Sequence, residues 1–221
     1  MISVCLKEID GSWFGLAYTG QEIIATSLSS AKEKALRSLV KNMQFNVEYQ
    51  IVDEGSEFAE RTMLMLKELE SGNEESKRFS LATEYVPEPI AKVLRAAAAI
   101  PIGYVASYGD IAKASDTEPR TVGRIMASNP LYPIVPCHRV VGSDFSLVGY
   151  GGRKNAPALE AKLARLNKET KGFTAKKEVA VNEKKLVVYP AEYVIRKAKK
   201  SGLEGPSQQK LFDNRKPNNT V

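Results

Sequence analysis

Cysteine is nearly missing from this 221-residue chain, which has two, Cys5 and Cys137. Two thiols cannot build a disulfide framework, so a reducing compartment is expected. Histidine is scarcer still, with His138 alone. One imidazole and two thiols are too few soft ligands for a tetrahedral zinc site, so no metal is expected. No apolar run approaches the ~18 residues of a membrane span. Residues 1–8 lack the basic-then-apolar order of a secretion leader. A phosphate-cradling glycine loop is missing too, and no cofactor is expected.

What is present is an ordinary folding composition, 43% hydrophobic and 26% charged, long enough for one large or two small domains. The net charge of +6 is unevenly spread. Residues 1–79 carry 9 basic and 13 acidic side chains, residues 80–167 carry 10 and 7, and residues 168–221 carry 13 and 6. Positive charge therefore rises toward the C-terminus, which suits a polyanion partner and equally suits a solvated lysine-rich tail.

The first third reads as a small α/β (α+β) domain, residues 1–78. Strands are expected at 2–9, 13–18 and 22–26, the first two joined by the turn signal Asp10-Gly11-Ser12. Ser30-Ala31-Lys32-Glu33 has capping-box spacing for a helix, residues 45–52 suggest another strand, and a second helix should end near Gly72. The polar segment 71–79 is the linker candidate. Beyond it, a strand is expected at 79–86 and a helix at 90–100. Two short helices follow, 108–114 with Ser107 as N-cap and 119–127 opened by Pro119. Helices so joined have the shape of a helix-turn-helix, or are simply two packed structural helices. The second domain, 79–172, is expected to be mainly helical, with 173–221 a basic extension.

Pro130, Pro133 and Pro136 forbid a regular helix before Cys137 and stiffen its approach. His138 and Arg139 follow directly. Adjacent positive charge or a base makes a thiol nucleophilic by lowering its pKa. The residues alone leave two readings open: a reactive thiol, or a buried structural cysteine beside a hydrogen-bonded histidine.

Pro136-Cys137-His138-Arg139-Val140 resembles the active-site signature of the O6-alkylguanine-DNA alkyltransferases, direct-reversal DNA repair proteins. Val105-Ala106-Ser107-Tyr108-Gly109-Asp110-Ile111-Ala112 is similar to the segment opening their helix-turn-helix, and Arg120-Thr121-Val122-Gly123-Arg124 to their recognition helix. Asn129-Pro130 resembles the hinge before the cysteine, and Gly149-Tyr150-Gly151-Gly152 the loop closing the site.

The resemblance implies irreversible, once-per-molecule transfer of an alkyl group to Cys137 from O6-alkylguanine, and less readily from O4-alkylthymine. The partner would be double-stranded DNA, held through its minor groove by a monomer with no membrane contact. The compartment would be the cytoplasm beside the nucleoid, or the nucleus in a eukaryote. His138, oriented by Glu169, would activate the thiol through a water and carry positive charge. Tyr108 would hydrogen-bond the flipped guanine, and Arg120 would fill the space it leaves. Flipping is required because the O6 carbon lies inside the duplex. Ser107, Thr121, Arg124 and Ser143 would touch DNA, and Gly123 would keep the recognition helix slim. Asn129, Met126, Val140, Tyr150, Gly152 and Tyr132 would line the alkylguanine pocket. Tyr132 would narrow its mouth, so that bulky benzyl groups react more slowly than methyl.

Two competing functions remain at this level: a lesion-binding module that does not react, and a cysteine hydrolase using Cys137 and His138. Beyond residue 172, strands at 179–181 and 186–189, a basic helix at 191–199 and a disordered end are expected. Gln208-Gln209-Lys210-Leu211-Phe212 faintly resembles a sliding-clamp peptide.

Overall fold

The computed structural model describes residues 1–43, 48–73, 79–82 and 85–203. Its first half is built on a four-stranded sheet ordered β3-β2-β1-β4. Strands β1 (Ile2–Ile9), β2 (Ser12–Thr19) and β3 (Glu22–Ser29) form an antiparallel meander, with Ile9 opposite Ser12 across the first turn. Strand β4 (Tyr49–Ile51) adds parallel to β1. Helices α1 (Lys32–Asn42) and α2 (Glu57–Ser71) pack on the sheet through Leu39, Met63 and Leu66.

Local chemistry sets most of these boundaries. Ser56 caps α2 by accepting from Ala59 N–H at 3.2 Å, and Gly72, at φ 87°, ends it in the left-handed region that favours glycine. The capping-box expectation for α1 is corrected: its N-cap is Ala31, with no side-chain hydrogen bond. The spacing was right, but Ser30 lies one residue too early to reach the first free N–H groups. Residues 44–47, 74–78 and 83–84 are not described, so the expected strands at 45–52 and 79–86 and the linker lie partly outside the described residues. Leu81 does make a single parallel bridge to Ile23.

The second half holds α3 (Glu88–Ala98), β5 (Tyr104–Ser107), α4 (Tyr108–Ala114), α5 (Pro119–Ala127), β6 (Val140–Val141), α6 (Ala156–Glu169), β7 (Lys177–Val181), β8 (Lys184–Pro190) and α7 (Glu192–Lys200). Residues 79–172 are mainly helical as expected but also carry the strands β5 and β6, which join β8 and β7, near the strands expected at 179–181 and 186–189, in a second sheet ordered β6-β5-β8-β7. Strands of four and two residues, as β5 and β6 are, are too short to show a period of two.

Between 173 and 203 the two expected strands and the expected basic helix are present as β7, β8 and α7 (Glu192–Lys200), and they pack on the rest of the second half. β8 pairs antiparallel with β5, and α7 buries Val194 and Ala198 against Val105, Val141, Leu163 and Leu166. Residues 204–221, including the clamp-like peptide, lie outside the described residues. Among the described residues, no helix is long and apolar enough to cross a membrane.

Candidate active site

The segment carrying Cys137 is held from both sides. Thr26 of β3 donates its N–H to Pro130 O at 2.8 Å and its hydroxyl to Tyr132 O at 2.7 Å. Asn129 Nδ2 donates to Val135 O at 2.7 Å, while its Oδ1 accepts from Leu131 N–H at 3.0 Å. After the last proline the chain makes one 3-10 turn, Cys137–Arg139, and enters β6. β6 pairs parallel with β5, Ala106 opposite Val140 and Ser107 opposite Val141. That pairing brings the start of α4, with Tyr108, beside the cysteine. Ser107 caps α4, accepting from Asp110 N–H at 3.0 Å.

Cys137 opens into a cavity of about 890 Å3, inside the range of roughly 300–1,000 Å3 usual for small-ligand pockets. Tyr108 forms part of its wall; Arg120, Gly123, Arg124 and Met126 of α5 form another; Tyr150, Gly152 and Lys154 form the rim loop. The cysteine is 9% exposed, so it is reached through this opening and not from a flat surface. At Gly149 a Cβ would stand 2.9 Å from Arg153 O, so this rim loop closes on itself only with glycine there.

Behind the cysteine lies a buried relay. His138 Nε2 donates to Glu169 Oε1 at 2.8 Å, which leaves the Nδ1 lone pair as the ring's base. That Nδ1 is buried and has no hydrogen-bond partner. Arg139 Nε donates to Glu169 Oε2 at 2.7 Å, its Nη2 to Oε1 at 2.8 Å, and its Nη1 to Ile100 O at 2.8 Å. Burial by itself would raise the Glu169 carboxyl, but hydrogen bonds from His138 and Arg139 outweigh it and hold the group at about 2.

The electrostatics correct the expectation of a preformed thiolate beside an imidazolium. Burial pushes the His138 pKa below its ordinary value despite the Glu169 carboxylate, so the ring rests neutral at pH 7. Burial likewise pushes the Cys137 thiol up, although Asn129, Lys162 and Arg165 draw it back. The resting pair is a thiol and a neutral base, because a low-dielectric site disfavours separated charge.

Lys162 of α6 is fully buried and was not singled out from the sequence. Its ammonium donates to Val140 O at 2.6 Å, Leu147 O at 2.8 Å and Gly149 O at 2.9 Å. One side chain thus ties β6, the following turn and the rim loop together. Burial lowers its pKa to about 8, which leaves it charged at neutral pH. Arg139, read from the sequence as positive charge beside the thiol, instead pairs with Glu169. A signal for Lys162 was available: it stands in the apolar stripe of Leu159, Leu163 and Leu166, where an unpaired lysine is costly.

Other expected residues fall in different places. Tyr108 and Tyr150 both line the cavity, their phenols pushed up to about 12 chiefly by burial, so both rest as donors. Arg124 Nη2 donates to Thr121 Oγ1 at 3.1 Å on the exposed side of α5. Asn129 and Val140 lie behind the cysteine, and Ser143 is exposed on the turn after β6; none of these three lines the cavity. Tyr132 does not line it either. Its hydroxyl donates to Glu70 of α2, and the Arg165 guanidinium lies 4.9 Å from its ring centre, turning it into a separate cavity behind His138. Arg165 Nη2 also reaches Glu70 Oε1 at 3.0 Å. Among the described residues, no cluster of three or more histidine, cysteine or carboxylate groups could hold a metal.

Comparison with known proteins gives this site a lineage. The family description "6-O-methylguanine DNA methyltransferase, DNA binding domain" matches residues 89–171. A methylated-DNA–protein-cysteine methyltransferase of Pyrobaculum aerophilum is 51% identical over 81 residues, covering 35% of this chain and 54% of that protein. One from Methanocaldococcus jannaschii is 32% identical over 143 residues, covering 65% of this chain and 82% of that protein. The crystal structure of the O6-methylguanine-DNA methyltransferase from Pyrococcus kodakaraensis superposes with a TM-score of 0.53 at 26% identity, covering 76% of this chain and 99% of that one. A 32% identity that covers 82% of the Methanocaldococcus jannaschii protein, together with a family match whose range contains Cys137 and His138, shows that the chain belongs to the methylated-DNA–protein-cysteine methyltransferase family.

Proposed function

We propose that the protein repairs duplex DNA by taking an alkyl group from O6-alkylguanine, and more slowly from O4-alkylthymine, onto the Cys137 sulfur. The observation that carries this reading is the position of Cys137. It lies in a cavity walled by one face of α5, with an unpartnered buried base, His138 Nδ1, in the adjoining residue. A cavity at the side of a helix fits a single base drawn out of a stack, and α4 with α5 would serve as a helix-turn-helix meeting the minor groove.

The chemistry balances without a co-reactant. The thiol proton passes to His138 Nδ1 through one water, and the sulfur attacks the alkyl carbon. A C–S bond forms as the C–O6 bond breaks, and the bonding pair leaves with the purine. Tyr108, still a phenol at neutral pH, donates to the departing base and stabilises its growing charge. The imidazolium then restores the phenol proton, so the net proton transfer is from thiol to guanine. A thioether is a poor leaving group, hence one turnover per molecule. Proton removal from a high-pKa thiol is timed to substrate arrival, which protects the sulfur from other electrophiles meanwhile.

Arg120 at the start of α5 would fill the gap in the stack, and Arg124 would hold a phosphate. Ser107, Asn129 and Val140 would act by position: Ser107 caps α4, while Asn129 and Val140 shape the cysteine turn. The protein would act as a monomer.

Mass spectrometry after mixing with a duplex carrying one O6-methylguanine tests the reading. A 14 Da increment on the Cys137 peptide, lost in Cys137→Ala while duplex affinity stays within about twofold, is expected from transfer of one methyl group. Tight binding without the increment would make the protein a lesion-binding module, and repeated turnover of an ester would make it a hydrolase.

A further inference from the structure

Helix α7 is the last regular element described, and its charges are sorted by face. Its single carboxylate, Glu192, is turned inward, where Oε1 accepts the N–H groups of Lys171, Gly172 and Phe173 at 3.2, 2.6 and 3.2 Å. Arg196, Lys197, Lys199 and Lys200 are all exposed. Cations in the last turn favour the helix dipole by themselves, so composition alone says little. Position says more.

α7 is fastened to the turn that follows the cysteine. Lys197 Nζ donates to Asp144 Oδ2 at 3.0 Å, and the Phe145 ring meets Tyr193 and Tyr189 edge-on at centroid distances of 5.2 and 5.3 Å. Arg196 lies 4.9 Å over the Tyr193 ring, which limits its wandering. Leu147, at the end of the same turn, packs into the core that holds Val194 and Ala198. The next residue, Val148, is already on the cavity rim, followed by exposed Arg153 and Lys154. Exposed cations thus stand on α5 (Arg120 and Arg124), on the rim loop (Arg153 and Lys154) and on α7, which the turn at 144–147 joins to that rim. The carboxylate of Asp144 between them is matched by Lys197.

We propose that α7 is a second phosphate-binding surface, on which Arg196, Lys199 and Lys200 hold the duplex backbone flanking the damaged nucleotide. This rests on the alkyl-transfer reading above. It gives the described part of the C-terminal region a task that α5 alone cannot perform: gripping DNA on the far side of the flipped base while the stack is open. Lys197 is excluded from the contact set because Asp144 occupies it.

The test compares the parent protein with the triple variant Arg196→Gln, Lys199→Gln, Lys200→Gln. Two readouts are taken: the salt dependence of binding to an undamaged duplex, and Cys137 alkylation by free O6-methylguanine base. Each phosphate contact contributes a slope of about −0.9 to log affinity against log salt. The variant is therefore expected to show a slope shallower by about 2 to 3, slower transfer from methylated duplex at subsaturating concentration, and unchanged alkylation by the free base. The free-base rate also reports an intact fold and site. A variant that reacts normally with free base yet keeps the parent's salt slope overturns the proposal while leaving the alkyl-transfer reading standing. A parent protein that gains no adduct from either substrate overturns that reading, and this proposal with it.

Discussion

Glu169 Oε1 sits 2.8 Å from His138 Nε2 although 31 residues separate them, and Arg139 Nη2 donates to the same oxygen at 2.8 Å. The carboxylate therefore fixes the imidazole tautomer and neutralises a buried guanidinium at once. Such a group is felt in stability as well as in chemistry.

Glu169→Gln should expose that double duty through pH. The Glu169 pKa is depressed from its ordinary 4.5 to about 2, so its stabilisation is complete above about 4.5 and is lost as pH falls toward 2. The shift corresponds to roughly 3 kcal/mol. At pH 7 the variant should be less stable by about 3–5 kcal/mol, because Arg139 is left buried without its anion. Urea midpoints for parent and variant should converge between pH 4.5 and 2. Parallel curves over that window would contradict the assignment.

Lys162→Met keeps the volume and removes the donor to the carbonyls of Val140, Leu147 and Gly149. Stability should fall by about 3 kcal/mol, since buried carbonyls left unpaired cost about 1–3 kcal/mol each and the loop can relax around some of them. For a chain of this size that is a drop of roughly 6–12 °C in Tm. The Cys137 thiol should also titrate higher, because Lys162 pulls it down in the native protein. A thiol titration followed on the Cys137 peptide measures this directly, and an unchanged midpoint would remove Lys162 from the site's electrostatics.

Tyr132→Phe separates two accounts of that residue. If Tyr132 narrowed the mouth of the Cys137 cavity, changes there would alter selectivity between methyl and benzyl substrates. The structure instead ties its hydroxyl to Glu70 in the other half of the chain. The expected outcome is a loss of about 1 kcal/mol in stability, with the methyl-to-benzyl rate ratio unchanged within about twofold. A large change in that ratio would return Tyr132 to the pocket.

Gly123→Ala sets helix stability against recognition. A Cβ at Gly123 would meet nothing within 4 Å, and the residue lies on the cavity wall of α5. Alanine in a helix interior is favoured over glycine by about 0.5–1 kcal/mol, so Tm should rise by a few degrees. The added methyl projects where the duplex is proposed to dock, so duplex affinity should fall while alkylation by the free base is preserved. A rise in Tm with undiminished duplex affinity would place the DNA elsewhere.

Several elements were readable directly from the chain. The bounds of β1, α4 and α5 follow from signals within a few residues: the Asp10-Gly11 turn, the Ser107 cap and Pro119 at the start of α5. The motif around Cys137 was equally plain, as three prolines followed by cysteine, histidine and arginine leave little conformational freedom. Ser30 shows the limit of such reasoning, since its spacing was right and yet Ala31 takes the cap position.

What the sequence determined, then, was the set of local elements and the adjacency of the cysteine and histidine proposed to react, because turns, caps and prolines act on neighbours along the backbone. Only the tertiary structure decided the protonation of that pair, the burial of Glu169 and Lys162, the turning away of Tyr132 toward Glu70, and the docking of α7 beside the cysteine turn. Each of these depends on desolvation or on contact between residues tens of positions apart. Such effects exist only once β5, β6 and β8 lie side by side and water has left the space between them.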